Sequence, residues 1–200
     1  MRKTTSLQEE FRKLFKQLED EGLVPTLTPI SIQIAHHGTD IDSARNIVKE
    51  QKFKPTGING RLGHGVYFYE NGPAPSVEAA LDWGKYAPGR PVDWVPGLVA
   101  AKLEINHAFD ALNPANFNFL NRLMGILKEK MGDFDADISW EQFTAKVVGL
   151  FAPESERIEA IRSRFALQRL CHPLSPRLIK DQKGLAIRNE KCILEIRLIE

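Results

Sequence analysis

Cysteine is nearly absent from this 200-residue chain: only Cys171 and Cys192 occur, in neither metal-ligand nor framework spacing. That excludes a disulfide-stapled secreted scaffold and a thiolate metal site, and it points to a reducing compartment in which both thiols are core filler. A surplus of charge is also missing. The 27 basic residues face 26 acidic ones, so no global field draws the chain to nucleic acid or to a membrane, and only a local patch could do so. No apolar run approaches the roughly 18 residues that a membrane span needs. Met1 to Ser6 lead into charged positions rather than a signal-peptide core, so a cytoplasmic location with no membrane partner is expected. Neither an internal repeat nor a low-complexity tract is present. What is present is 42% hydrophobic and 26% charged residues, enough for one sizeable core and short for two, so residues 1–200 are expected to form a single domain.

The most informative stretch is Leu62-Gly63-His64-Gly65-Val66-Tyr67-Phe68-Tyr69, in which two glycines feed a β-branched and aromatic run. It reads as a tight loop entering a buried strand, and glycine there admits a backbone or a flat ligand that neighbouring rings can stack on. Upstream, Ser6 and Glu9 make a capping box for an amphipathic helix whose face is Leu7, Phe11, Leu14, Phe15 and Leu18, stopped by Gly22. Ile30 to Ala35 alternates as a short strand and delivers His36, His37, Gly38 and Thr39 at its end. Asp42 is expected to cap a helix running to about Gln51, and Ser76 one that carries Ala79, Ala80 and Trp83 to Tyr86. Leu98 to Ile105 reads as a central strand.

From 113 to 172 the periodicity changes. Phe117, Leu120, Leu123, Met124, Leu127 and Met131 share one helical stripe; Phe143, Val147, Leu150 and Phe151 make a second; Ile158, Ile161 and Phe165 make a third. A helical insertion is therefore expected before two terminal strands, Leu185 to Arg188 and Cys192 to Leu198, which meet near Asn189 and Glu190.

Taken together, His37-Gly38-Thr39, Gly63-His64-Gly65-Val66-Tyr67-Phe68 and Asn189-Glu190-Lys191-Cys192-Ile193-Leu194 resemble, in order, three strand motifs of the His-Tyr-Glu type ADP-ribosyltransferases, the branch that includes poly(ADP-ribose) polymerases and diphtheria toxin. These stretches cover about a third of the chain. The resemblance implies an α+β fold with split antiparallel sheets around an NAD cleft, carrying an N-terminal helix (1–27) and the helical insertion (113–172). It implies NAD+ as co-substrate and no metal.

Cleavage of the nicotinamide glycosidic bond passes through an oxocarbenium-like ribose, which needs a carboxylate close by and a firm grip on both flanks. By resemblance Glu190 is the catalytic carboxylate, and Arg188 and Lys191 beside it would favour its ionised form if it were buried. His37 would donate to the adenosine-side ribose, with His36 the competing candidate. Gly38 would offer its backbone to the nicotinamide amide, with Thr39 completing the strand end. Tyr67 would stack on the pyridinium, where a positive ring favours an aromatic face, and Trp83 resembles the second aromatic, with Tyr86 as competitor.

The arginine-directed branch carries Glu or Gln two residues before its catalytic Glu, and here that residue is Arg188, so modification of arginine is not expected. Nothing resembles the regulatory or DNA-binding domains of chain-extending polymerases. Single transfer by a compact toxin or defence effector is the expectation, with a protein or nucleic-acid acceptor and an antitoxin or inhibitor protein as a further partner. Nine basic residues against three acidic ones between Arg157 and Lys191 include Arg162, Arg164, Arg169 and Arg177, a stretch able to grip a phosphate backbone or to form a solvated face. An NAD+ glycohydrolase and a non-catalytic ADP-ribose-binding module are the rival readings.

Overall fold

The computed structural model describes residues 7–57, 60–72, 75–86, 93–131, 140–150, 158–166 and 181–199. Helix α1 (Leu7–Asp20) is followed by β1 (Leu27–Asp40), α2 (Ile41–Glu50), β2 (Val66–Tyr69), α3 (Ser76–Tyr86), β3 (Pro96–Asp110), α4 (Pro114–Met131), α5 (Trp140–Leu150), β4 (Ala160–Ala166), β5 (Asp181–Ile187) and β6 (Ile193–Ile199). Among the described residues the class is therefore mixed helix and sheet, with five helices. None of those helices is long and apolar enough to cross a membrane.

The strands form one six-stranded sheet in the order β1-β2-β5-β4-β3-β6, which closes on itself because β1 also pairs with β3. Every pairing is antiparallel except β3 with β4. Strand β3 holds the closure together. One of its edges follows β1 from Asp40↔Pro96 to Leu27↔Phe109; the other pairs β6 over Leu98 to Leu103 and then β4 over Ala108 to Asp110.

Both faces of this sheet are covered. On one, Leu14 and Leu18 of α1, Phe119, Leu120 and Leu123 of α4, and Phe143 and Val147 of α5 pack with Phe109, Ile161 and Ala186. On the other, Val66, Phe68, Val99, Leu103, Leu185 and Ile187 pack with Ala44 of α2 and with Phe53. Each fully buried aliphatic or aromatic side chain of this kind contributes roughly 1.5–3 kcal/mol. The amphipathic reading of α1 holds for Leu14, Phe15 and Leu18; Phe15 meets Phe119 at 5.5 Å between ring centres, and Gly22 ends the helix at φ +74. Ser6 of the expected capping box lies outside the described residues.

Three expectations are corrected. Residues 160–166 form β4 rather than a third helix, because this segment finds ladder partners on both sides, β5 along its whole length and β3 at Ala160 to Arg162. Spacing of Ile158, Ile161 and Phe165 alone cannot weigh that pairing. Asp40, not Asp42, caps α2, accepting from Ser43 N at 2.7 Å, while Asp42 is exposed within the first turn. Phe117 is 46% exposed, because the buried stripe of α4 runs through Asn116, Leu120, Leu123 and Leu127 instead. The Asn116 side chain accepts from Thr26 N and donates to Thr26 O and Asp110 O, which ties the start of β1 to α4.

Candidate functional site

Strands β1, β2 and β5 are neighbours, and their antiparallel registers decide which motif ends meet. His36 pairs with Tyr69, and Val66 with Ile187. The C-terminal end of β1, the N-terminal end of β2 and the C-terminal end of β5 therefore lie at one end of the sheet, which gathers His37-Gly38-Thr39, Gly63-to-Phe68 and Asn189-Glu190 from positions some 150 residues apart in sequence.

Strands β1 and β2 share only the pair His36↔Tyr69. Toward the motif end a side chain replaces the ladder: His37 Nδ1 bonds the carbonyl oxygen of Tyr67 at 2.8 Å. A carbonyl only accepts, so Nδ1 carries the proton, and the neutral ring presents Nε2 as an acceptor. The donor role expected of His37 thus requires the charged ring. Phe53 and Phe68 hold the imidazole at 5.2 Å and 5.8 Å between ring centres.

His36 points the other way, since consecutive strand residues alternate faces. Its Nδ1 donates to Ser76 Oγ at 2.8 Å, and Ser76 Oγ donates in turn to Asn71 Oδ1 at 2.9 Å. Asn71 Oδ1 also accepts from Ser76 N, so Asn71 rather than Ser76 satisfies the start of α3. Burial holds the His36 imidazole below its ordinary pKa, which keeps it neutral. His36 therefore anchors α3 on β1.

Helix α3 lies directly on Gly38, where a Cβ would stand 1.8 Å from the carbonyl oxygen of Ala80. That contact fixes Trp83 one turn further along, and the Arg61 guanidinium sits 5.3 Å from the centre of its ring. Tyr67 is partly buried. Its hydroxyl accepts from Leu62 N at 2.6 Å and donates to Gly63 O at 2.8 Å, closing the loop that Gly63 turns at φ +77. Burial pushes the phenol up to about 12, against opposing influences from the Leu62 amide, Arg188 and Arg61, so it stays protonated. Thr39 is partly buried, pairs with Gly97 and directs its hydroxyl to Asp40 Oδ2 at 3.4 Å.

Glu190 opens a short 3-10 turn, Glu190–Cys192, between β5 and β6, with its side chain exposed. Arg188 and Lys191 do not bury it. Tyr67 pairs with Ala186, so Glu190, four residues further on, lies at most about 13 Å along the strand from that pair. The turn is held by a carboxylate that sequence reasoning passed over. Glu159 Oε2 accepts from Asn106 N at 2.8 Å and His107 N at 3.0 Å, and Oε1 from Asn189 Nδ2 at 3.1 Å. Its backbone oxygen accepts from Arg188 N and Asn189 N. Burial would raise the Glu159 pKa, but these amides outweigh it and hold the group below the usual carboxylate value. Cys192 is buried beside it with its thiol pushed up to about 12, chiefly by burial, and is no nucleophile at neutral pH. Only the position of Glu159, just ahead of a strand, signalled it in the sequence.

Of the arginines that could grip a phosphate backbone, Arg162 is committed elsewhere. Its Nε and Nη2 meet the two oxygens of Glu70, each at 2.6 Å, and Nη1 meets Asp110 at 3.0 Å. Arg164 is exposed, and Arg169 and Arg177 lie outside the described residues. Among the described residues no three His, Cys, Asp or Glu side chains gather as they would around a metal ion. Searches with the sequence find no matching protein-family model and no matching curated protein.

Proposed function

We propose that this chain is a mono-ADP-ribosyltransferase that takes ADP-ribose from NAD+ and gives it to a macromolecular acceptor, as a toxin or defence effector. The observation that supports this reading best is the convergence of the three motif ends on one end of β1, β2 and β5, next to the place where β1 and β2 part after His36↔Tyr69. The family resemblance implies a cleft between split sheets, whereas the strands here form one closed sheet, and in this reading NAD+ lies at the parting of β1 and β2.

In this reading Tyr67 and Trp83 supply aromatic faces for the pyridinium, and Gly38 a backbone edge without a side chain in the way. The neutral His37 ring accepts from a ribose hydroxyl through Nε2. Glu190 offsets the positive charge that develops on the ribose and takes the proton of the incoming nucleophile. The C1′–N1 glycosidic bond breaks, its electron pair leaves with nicotinamide, and the acceptor's nucleophile forms the new bond to C1′. Exposure of Glu190 suits a step in which a large acceptor must reach the ribose. The commitment of Arg162 to Glu70 and Asp110 weakens the case for a nucleic-acid acceptor and favours a protein one.

The test uses NAD+ labelled in its adenylate half, incubated with the protein and a cell extract, followed by separate protease, ribonuclease and deoxyribonuclease treatments. Nicotinamide release with protease-sensitive macromolecular label is expected. Release with all label as free ADP-ribose would replace the transferase by a glycohydrolase. No release would leave a module that binds NAD+ or ADP-ribose without chemistry.

A further inference from the structure

Among the described residues Arg162 and Arg188 are both partly buried, and their surroundings differ. Arg162 meets two carboxylates. Arg188, at the end of β5 and partly buried, has a buried Nε with no hydrogen-bond partner among the described residues, and burial pushes its pKa down. A guanidinium cannot shed its charge as a lysine can, so covering it without a counter-ion is unfavourable unless an anion is supplied from outside.

The surroundings are suited to such an anion. The Arg188 guanidinium lies beside Gly63, where a Cβ would come within 3.7 Å of Nη2 and 3.8 Å of the Ala145 Cβ on α5. Tyr67 sits in the fields of both Arg188 and Arg61, and Arg61 is stacked on Trp83. Two planar cations and two aromatic rings thus gather around the Leu62-Gly63 loop.

We propose that Arg188, together with Arg61 over the Trp83 ring, forms a binding site for a phosphate group. The terminal nitrogens of the planar Arg188 fork take two oxygens of a phosphate. The site shares the sheet end with the proposed transferase centre but needs none of its chemistry. The phosphate is either the diphosphate of the dinucleotide or a phosphate on another molecule.

Inorganic pyrophosphate titrated calorimetrically into the protein at constant ionic strength is the test. Wild type and R45Q, which removes an exposed arginine on α2, are expected to bind alike, and R188Q at least 10-fold more weakly. The Nε–Hε resonances of wild-type arginines, followed in the same titration, read the site without a variant; a buried resonance should move at saturation. ADP-ribose then separates the sources: displacement of pyrophosphate assigns the phosphate to the dinucleotide, and simultaneous binding assigns it to another molecule, both within the proposal. No binding to wild type, or equal loss in R45Q and R188Q, would overturn it. Binding retained by a protein that releases no nicotinamide from NAD+ would sink the transferase reading and leave this site standing.

Discussion

The carbonyl oxygen of Ala80 occupies the space a side chain on Gly38 would need: a Cβ there would stand 1.8 Å from that oxygen and 2.6 Å from its carbon. Both are backbone atoms of α3 and cannot rotate aside. Gly38→Ala must therefore push α3 off β1, carrying Trp83 and the Ser76 anchor of His36 with it. A loss of about 2–4 kcal/mol in urea unfolding is expected. Gly125, inside α4 with nothing within 4 Å of its missing Cβ, supplies the contrast: Gly125→Ala should stabilise by roughly 0.5–1 kcal/mol. Equal effects at the two positions would contradict the packing of α3 on β1.

Arg162 bridges Glu70 at the end of β2 and Asp110 at the end of β3 with its side chain mostly covered. Removing one partner strands the other charges, so Arg162→Met should cost about 3–5 kcal/mol by chemical denaturation. Arg164, two residues on and exposed, should tolerate Arg164→Gln within about 0.5 kcal/mol. A stable Arg162→Met protein would return Arg162 to the list of residues available to a phosphate backbone.

Glu159 makes acid stability testable with a definite sign. Its folded pKa is depressed, so its contribution is present above the usual carboxylate pKa and is lost as pH falls through the lower folded value. Thermal melts below about pH 4.3, the unfolded carboxylate value, should lose stability more steeply in wild type than in Glu159→Gln. Near neutral pH the variant should be less stable by roughly 1–3 kcal/mol, since its amide turns a donor toward the Asn189 donor. Parallel pH profiles for the two proteins would remove Glu159 from the clamp on the β5–β6 turn.

Local signals were legible in the sequence wherever the chain's own neighbours decide the structure. Glycines before Val66-Tyr67-Phe68-Tyr69, the apolar face of Leu14, Phe15 and Leu18, and the breaks around Asn189 all lie where they were expected. Long-range pairing was not legible. Ile158, Ile161 and Phe165 fit a helical stripe, and only the ladders to β3 and β5 make that stretch a strand. The same blindness hid the functional groups. Glu159 counted only as one of the acidic residues until Asn106, His107 and Asn189 were seen around it. Arg188 was weighed as a neighbour of Glu190, whereas alternation along β5 sets it toward Tyr67 and leaves Glu190 beyond the strand.

The transferase reading turns on Glu190, and its exposed position makes the decisive variant clean. With no side-chain hydrogen bond to lose among the described residues, Glu190→Gln should keep the wild-type unfolding midpoint, unlike Glu159→Gln, which breaks the clamp on the same turn. Glutamine still meets a ribose hydroxyl, so NAD+ affinity should be preserved, but a neutral amide cannot offset charge developing on the ribose. Loss of that interaction should cost roughly 3–5 kcal/mol in the barrier, on the order of 10² to 10⁴ in nicotinamide release. Glu195 is the alternative carboxylate; it is exposed on β6 and held by Arg197 at 2.6 Å, so Glu195→Gln should release nicotinamide at the wild-type rate. The reverse outcome, a normal Glu190→Gln and a silent Glu195→Gln, would move the chemistry from the β5–β6 turn onto β6 and take the convergence of the three motif ends out of the argument.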